Sequence, residues 1–268
     1  MENYICITCG TQYPDSPAAP THCPICEDDR QYVNQNGQQW TTLTDLRREH
    51  TNGLTPIDPG VTAIRTAPGF AIAQQAHLIQ TSAGNVLWDC ISFLDDATVA
   101  EVRRRGGIAA IAISHPHFYS SMIEWSRVFD APIYLHAENR PWVMRPDQAI
   151  QFWEGDAHEL LPGLTALRCG GHFPGSSVLH WADGAGGKGA LFAADTIMVV
   201  ADRRYVTFMY SYPNQIPLNA QAVRGIVAAV EPYAFDRIYG SWPGSIVAED
   251  AKAAVRRSAE RYIAHIEG

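Results

Sequence analysis

Apolar runs separated by short polar turns occupy most of the chain after residue 60. Runs of a length typical of buried strands lie at 61–66, 71–81, 86–90, 108–113, 133–135, 164–168, 178–181, 189–193 and 237–240. Longer stretches with helical periodicity or capping residues lie at 95–105, 121–129, 217–231 and 248–266. Strands that alternate with helices in this way predict an α/β fold with two β-rich halves.

The first 60 residues follow a different pattern. Residues 1–33 contain paired cysteines, and a polar stretch then leads to a short helix with capping residues Thr42 and Asp45. Residues 51–60 are rich in Gly, Pro and Asp, which predicts a connecting loop. We therefore predict a cysteine module at 1–33, a linker with a short helix at 34–60 and the main domain at 61–268.

Three histidines and one aspartate stand at the ends of predicted strands. His115 and His117 follow the run 108–113, and alternation along an extended chain puts both on one side. His172 lies in a Gly-Gly-His-Phe-Pro-Gly segment, and Asp195 follows the run 189–193. Imidazole and carboxylate groups are common zinc ligands, so this grouping predicts a metal site. His136, which ends the run 133–135, is a weaker candidate.

The order and spacing of these motifs resemble the metallo-β-lactamase superfamily from about Val61 to the C-terminus. His115 and His117 match the first pair of the family motif His-x-His-x-Asp-His. His172 matches the histidine of Gly-His-x-Pro-Gly, and Asp195 matches the aspartate that bridges the family's two metals. The resemblance implies a four-layer αββα sandwich, here preceded by a small zinc ribbon.

The chain departs from the family at the ligands of the second metal. Tyr119 and Ser120 stand in the places of the Asp-His pair, and Ser241-Trp242 lies where the last histidine is expected. The resemblance therefore implies one ion, zinc or another divalent metal, held by the three matching histidines. Asp195 is then either a fourth ligand or a hydrogen-bonding neighbour. A lapsed site without metal is the alternative.

Two Cys-x-x-Cys pairs near the N-terminus are a second metal motif. Cys6 and Cys9 form the first pair, and Cys23 and Cys26 form the second. Four thiolates suit a tetrahedral ion, and the pattern resembles a zinc ribbon or a rubredoxin-type knuckle pair. Glu27 in place of a usual Gly, and a loop shorter than in rubredoxins, favour structural zinc over iron. Disulfides and unligated thiols are the alternatives.

Charge and composition limit the partners and the location. The net charge is −8, and the cysteine module carries five acidic residues against Arg30 alone. A phosphate-binding surface needs clustered Lys and Arg, so this balance argues against nucleic acid. No run reaches the ~20 apolar residues of a membrane span, and paired thiols suit a reducing compartment. We therefore expect a cytoplasmic protein with no membrane partner. The sequence does not predict the oligomeric state.

The predicted function is a mononuclear metallo-hydrolase that uses a single metal-bound hydroxide on a small carbonyl substrate, namely an ester, thioester, lactone or amide. Asp195 and Tyr119 are the catalytic candidates, the first for orienting or deprotonating water and the second for stabilising an oxyanion. Aromatic residues follow the ligands and predict either an apolar pocket or ordinary core: Phe118, Tyr119, Phe173, Tyr205, Phe208, Tyr210, Tyr212 and Trp242. The alternative is a non-catalytic binding or scaffold protein on a lapsed fold, so the sequence leaves enzyme activity open.

Overall fold

The computed structural model describes residues 1–268, and the chain divides into two compact units. Unit 1 comprises Met1–Leu135 and Arg140–Phe152, and unit 2 comprises His136–Asn139 and Trp153–Gly268. No helix in either unit combines the length and the apolar character that crossing a membrane requires. The domain boundaries that the sequence suggests, after residues 33 and 60, stay predictions.

A three-stranded sheet and two short helices form the N-terminal part of unit 1. The strands are β1 (Glu2–Cys6), β2 (Gln12–Ser16) and β3 (Trp40–Thr41), in the order β2-β1-β3, and the helices are α1 (Pro24–Glu27) and α2 (Leu43–Glu49). Ile5 is fully buried and packs with Leu46 and Phe93. Since Phe93 lies far along the chain, this sheet shares a hydrophobic cluster with the rest of unit 1.

Seven strands form the main sheet of unit 1, in the order β10-β9-β8-β7-β6-β5-β4. Their bounds are β4 Thr51–Asp58, β5 Val61–Ala67, β6 Ala76–Thr81, β7 Gly84–Trp88, β8 Ala110–Ala112, β9 Ile133–His136 and β10 Ile150–Trp153. Two helices, α3 (Asp96–Arg104) and α4 (Met122–Phe129), follow β7 and β8. Because β7, β8 and β9 are parallel, the loops after β7 and β8 leave the same edge of the sheet.

Two segments of unit 1 differ from the sequence-based expectation. The run 71–81 does not form one strand, because Ala71 and Ala73 have φ angles of 52° and 55°, outside the strand region, and β6 begins only at Ala76. Residues 51–60, expected to be a loop, contain β4, which pairs with β5 along its length. As the last strand of the sheet, β4 tolerates Gly53 and Pro56, which a central strand would not.

Unit 2 contains a six-stranded sheet in the order β11-β12-β13-β14-β19-β20 and two small hairpins, β15-β16 and β17-β18. The strands are β11 Ala157–Leu161, β12 Leu164–Arg168, β13 Ser177–Trp181, β14 Ala190–Phe192, β15 Met198–Val199, β16 Val206–Thr207, β17 Met209–Ser211, β18 Ile216–Pro217, β19 Arg237–Tyr239 and β20 Ile246–Val247. The helices are the one-turn α5 (Gly184–Gly187), α6 (Ala220–Val230) and α7 (Ala251–Glu267). Val223 of α6 and Val255 of α7 share one core with Leu191 of the sheet. Unit 2 therefore has the α/β construction that the sequence predicts.

Gly189, between α5 and β14, tests how tightly unit 2 is packed. Its φ is +84°, and an added Cβ would lie 2.0 Å from the carbonyl oxygen of Ala234. We expect Gly189→Ala to lower the free energy of unfolding by about 1–3 kcal/mol, measured by urea denaturation. Gly225→Ala is the control, because this exposed position in α6 has no atom within 4 Å of the new methyl group. It should be neutral or raise stability by about 0.5–1 kcal/mol, and equal losses in both variants would contradict the argument.

Candidate metal centres

The four cysteines of the N-terminal pairs come together in one buried cluster. The Sγ atoms of Cys6 and Cys26 are 3.5 Å apart, and those of Cys9 and Cys23 are 3.7 Å apart. A disulfide would place two sulfurs about 2.05 Å apart, whereas four sulfurs on one zinc ion lie about 3.8 Å from one another. All six cysteines are free, so the disulfide alternative is wrong. The spacing suits a single tetrahedral ion.

The knuckles owe their shape to local backbone turns. Gly10 has a φ of +82°, and its N–H donates to the carbonyl of Cys6 at 2.8 Å, which closes the first knuckle. Pro24 starts α1, whose first turn presents Cys26 opposite Cys23. The amide of Cys26 donates to the carbonyl of Cys23 at 3.0 Å. Each Cys-x-x-Cys pair therefore directs its two sulfurs to one point.

Neighbouring side chains donate hydrogen bonds to the sulfurs. The Tyr13 hydroxyl donates to Cys23 at 3.1 Å, and the Gln38 amide donates to Cys6 at 3.0 Å. Burial and the adjacent thiols hold the pKa of Cys9 well above its ordinary value. Four thiolates in such a pocket would therefore need a cation, and the donor set fits one.

In unit 1, His115 and His117 follow β8 and are both buried. Their ring centroids are 5.1 Å apart, but His117 lies in a 3₁₀ turn, Pro116–Phe118, rather than on an extended strand. A hydrogen-bond chain orients His115. The Ser114 hydroxyl donates to Asp89 at 2.7 Å and so accepts from Nδ1 of His115 at 2.9 Å. This leaves Nε2 of His115 as the nitrogen suited to a metal.

In unit 2, His172 and Asp195 lie on the loops after β12 and β14. Nδ1 of His172 donates to the carbonyl of Met209 at 3.2 Å, which leaves Nε2 as the nitrogen suited to a metal. Nε2 is 3.8 Å from Oδ2 of Asp195, beyond hydrogen-bonding distance. Two atoms bound to one zinc ion at about 2.1 Å each lie no more than about 4.2 Å apart. The distance suits two ligands of one ion.

Unusual backbone conformations fix these two loops. Ala194, directly before Asp195, has a φ of +45°, a conformation that glycine adopts more easily than alanine. In the His172 loop, the amide of Gly175 donates to Asn139 at 3.0 Å, and that of Phe173 donates to Ser176 Oγ at 2.8 Å. A Cβ at Gly175 would lie 2.8 Å from Asn139, so only glycine fits.

The ligand atoms of His115, His117, His172 and Asp195 lie within 4.8 Å of one another, and all four residues are buried. The structure thus brings together the four residues that the sequence singles out, as a group that could hold a metal ion. His136, the weaker candidate, is not in the group. Its Nε2 faces the carbonyl of Gly155 at 3.1 Å, and its Nδ1 accepts from an amide at 3.3 Å.

Tyr119 and Ser120, at the places of the family's Asp-His pair, have different surroundings. The Ser120 hydroxyl accepts from Gln74 at 3.1 Å and donates to the carbonyl of Cys90 at 3.4 Å. Tyr119 is only 2% exposed, and its hydroxyl has no hydrogen-bond partner. Burial raises the pKa of Tyr119 above its ordinary value, so the phenol keeps its proton. It remains available as a donor.

Three of the predicted aromatic residues border the candidate ligands. The ring of Phe118 is 4.5 Å from that of His115, and the ring of Phe173 is 5.1 Å from that of His172. Tyr212 lies 5.9 Å from the His172 ring, and its hydroxyl donates to the carbonyl of Asp195 at 2.8 Å. Phe118 and Phe173 therefore pack against candidate ligands, and Tyr212 both packs against one and donates a hydrogen bond to another.

Other members of the aromatic group lie elsewhere. Phe208 is fully buried in the core of unit 2 and packs edge-on against Tyr262. The ring of Tyr205 is covered by the guanidinium of Arg261 at 3.5 Å. Closeness in sequence to Asp195 therefore does not place these two rings beside the ligands.

Asp89 and Ser114 are site residues that the sequence reasoning missed. Asp89 is fully buried directly after β7. Its carboxylate accepts hydrogen bonds from both the hydroxyl and the amide of Ser114. Its signal in the sequence is an acidic residue inside an apolar run, Leu87 to Ile91. A buried carboxylate at a strand end needs a specific partner, and here that partner orients a candidate ligand.

Comparison with known proteins defines the class. Residues 70–228 match the family model described as the metallo-beta-lactamase superfamily. The protein YmaE of Bacillus subtilis (strain 168), described as uncharacterised, is 49% identical over 265 residues, which cover 98% of this chain and 96% of that protein. The chain belongs to the metallo-β-lactamase superfamily.

Solved structures agree on the fold. The metallo-β-lactamase DIM-1 has a TM-score of 0.60 at 13% identity, covering 81% of this chain and 98% of its own. FIM-1 from Pseudomonas aeruginosa, solved in a mono-zinc form, has a TM-score of 0.58 at 14% identity, covering 78% of this chain and 95% of its own. The predicted fold class, an α/β metallo-β-lactamase fold with a small N-terminal cysteine ribbon, is confirmed. Membership supports a metal-dependent hydrolase in general.

Proposed function

We propose that the protein is a hydrolase of small carbonyl compounds with one ion at the histidine group. The observation that carries the proposal is the approach of four buried ligand side chains to within 4.8 Å of one another. His115, His117 and His172 would hold the ion, and the 3.8 Å separation of His172 and Asp195 supports Asp195 as the fourth ligand.

A zinc ion in this position would lower the pKa of bound water to about 7 and polarise a carbonyl group. Asp195 can serve both the ion and the water, because a carboxylate has two oxygens. With Oδ2 directed towards His172, Oδ1 can accept the proton that water loses. The Tyr212 hydroxyl, which donates to the Asp195 main-chain carbonyl at 2.8 Å, holds the residue in place.

Tyr119 is the proposed donor to the substrate. Its buried hydroxyl has no partner within the protein, and leaving a hydroxyl in that state is unfavourable by about 1–3 kcal/mol. A carbonyl oxygen that gains negative charge during hydrolysis would accept this hydrogen bond. The apolar rings of Phe118 and Phe173 beside the ligands favour an uncharged ester, thioester, lactone or amide over a phosphate ester.

We also propose that the four cysteines hold a structural zinc ion, since structural zinc sites are closed and four-coordinate. Residues 1–33 are the proposed module, followed by a linker at 34–60 and the hydrolase domain at 61–268. The acidic balance of the chain supports a small-molecule substrate rather than nucleic acid. Free paired thiols support a cytoplasmic location, where they stay reduced.

The cysteine ion can be tested by Cys9→Ser. Loss of one of four thiolates should release one zinc ion per chain, measured by elemental analysis of purified protein, because three sulfurs hold the ion more weakly. Cys169→Ser is the matched control. This half-buried thiol lies outside the cluster, and burial raises its pKa to about 12. Unchanged zinc content in Cys9→Ser would remove the basis for a cysteine site.

The histidine ion can be tested by His115→Ala. We expect wild-type protein to hold two ions per chain and this variant to hold one, because an imidazole ligand is lost while the cysteines are intact. His265→Ala, which changes an exposed histidine on α7, should keep both ions. Two ions at the histidine group, three in total, would contradict the single-ion proposal.

The catalytic roles can be tested by kinetics on a panel of esters, thioesters and lactones. Asp195→Asn should lower kcat by about 10²–10⁴-fold, because the amide cannot take a proton from water. Tyr119→Phe should lower kcat by about 10–1,000-fold through loss of one hydrogen bond. Tyr205→Phe, the same change away from the ligands, should match wild type. A wild type that holds both ions and hydrolyses nothing in the panel would favour the binding-protein alternative.

A further inference from the structure

The first cysteine knuckle touches the main sheet of unit 1 at two loops. The carbonyl of Gly10 accepts a hydrogen bond from the Ser92 hydroxyl at 2.8 Å, and the amide of Gln12 donates to the carbonyl of Ser120 at 3.0 Å. A Cβ at Gly10 would lie 2.5 Å from Ser92 Oγ, so the approach is as close as a glycine allows. Thr11, between the two contacts, is 2% exposed. The knuckle is therefore packed against these loops.

Ser120 has a backbone conformation that it would not adopt without support. Its φ of +45° is uncommon and unfavourable for a residue with a Cβ. Its hydroxyl is held by Gln74 and Cys90, and its carbonyl is held by Gln12. Contacts from three segments therefore keep Ser120 in this conformation, and one of those segments is the end of the first cysteine knuckle.

A second link runs beside the first. The Ser121 hydroxyl donates to the carbonyl of Ser92 at 2.7 Å, and Ser92 is the residue that donates to Gly10. The side chain of Gln12 also accepts from Arg145, which binds Glu124 of α4 at 2.6 Å. The segment 10–12 thus contacts the chain on both sides of the start of α4.

The loop that carries His115 and His117 is clamped at both ends. Asp89 holds its beginning through Ser114. Between the ends runs the 3₁₀ turn, in which the amide of Tyr119 donates to the carbonyl of Pro116 at 3.3 Å. The last residue of the loop, Ser120, lies three positions after His117, and its carbonyl accepts a hydrogen bond from the amide of Gln12. A shift at Ser120 would therefore move the short, hydrogen-bonded turn that contains the ligand.

We propose that the cysteine module positions the histidine pair. Segment 10–12, shaped by the Cys6–Cys9 knuckle, stabilises the left-handed conformation of Ser120 and so holds His117 in the orientation that binds metal. This proposal rests on the proposed function, because it requires an ion at the histidine group. Gly10 and Gln12 are positioning residues for His117. The cysteine module would therefore affect metal binding at the histidine group.

The test measures zinc affinity at the histidine group by chelator competition, together with total zinc per chain. Cys9→Ser should lose the cysteine ion and lower the histidine-site affinity at least about tenfold. Gln12→Ala should keep both ions and lower that affinity by about 3–10-fold. This variant loses the side-chain hydrogen bond with Arg145 that anchors segment 10–12 and keeps the main-chain bond to Ser120. Cys169→Ser and Gln151→Ala, with changes outside the contact, should match wild type.

A double-mutant cycle tests the route through Ser120. Ser120→Gly removes the conformational penalty, so in this background Cys9→Ser should lose more than half of its effect on histidine-site affinity. Equal effects in both backgrounds would overturn the proposed route. Wild-type affinity in both Cys9→Ser and Gln12→Ala would overturn the positioning role. If Cys9→Ser does not fold, unchanged affinity in both Gln12→Ala and Gly10→Ala, whose new Cβ would lie 2.5 Å from Ser92 Oγ, decides against the role.

These outcomes separate the two proposals. A wild-type protein that binds zinc only at the cysteines overturns the proposed function and, with it, the positioning role. A wild-type protein that binds zinc at both groups, with a histidine-site affinity insensitive to Cys9→Ser and Gln12→Ala, overturns the positioning role alone. Near-ultraviolet circular dichroism of each variant shows whether unit 1 keeps its native packing.

Discussion

Burial of the ligand atoms is the constraint on which the rest of the molecule depends. The four cysteines are at most 1% exposed, and the three histidines with Asp195 are at most 5% exposed. Charge in such surroundings is strongly unfavourable unless a counter-charge or hydrogen-bond donors are close. Neighbouring side chains such as Ser114 and Tyr13 supply some of the hydrogen bonds that these buried groups need. A cation bound at each group would supply the remaining charge compensation, which would link folding around these groups to metal binding.

Precision at the histidine group comes from loops rather than from the strands that carry them. Asp89, Ser120 and Ala194 all have positive φ angles, although none is a glycine. Such conformations persist only where the surrounding contacts determine them. Ala194 directly precedes Asp195, Asp89 binds the Ser114 that orients His115, and Ser120 ends the loop that contains His117. Within each sheet the loops follow the ends of buried strands, and residues with positive φ angles then set the direction of the side chains beside them.

The sequence singles out the four residues of the histidine group that the structure brings together, because their motifs are short and each follows an apolar run that marks a strand. It does not predict β4, because Gly53 and Pro56 are residue types typical of loops, although β4 is an edge strand. It also misses Asp89, whose role appears only when β7 and β8 pair. The contact of Ser92 with Gly10 joins residues 82 positions apart, and no local pattern records it. Periodicity reports which residues are buried, not which distant segments they meet.

The hydrogen bonds from Tyr13 and Gln38 to the cysteine sulfurs also affect how those sulfurs react. A sulfur that accepts a hydrogen bond, and shares its remaining electron density with a metal, is a poor nucleophile. Electrophiles and peroxides would therefore react slowly with the four cysteines while an ion is bound. Without an ion, the hydrogen bonds to Cys6 and Cys23 would be retained, but no metal would share the electron density of the four sulfurs, and they would react more readily. The reaction rate of these cysteines with an electrophile would therefore differ between protein with and without a bound ion.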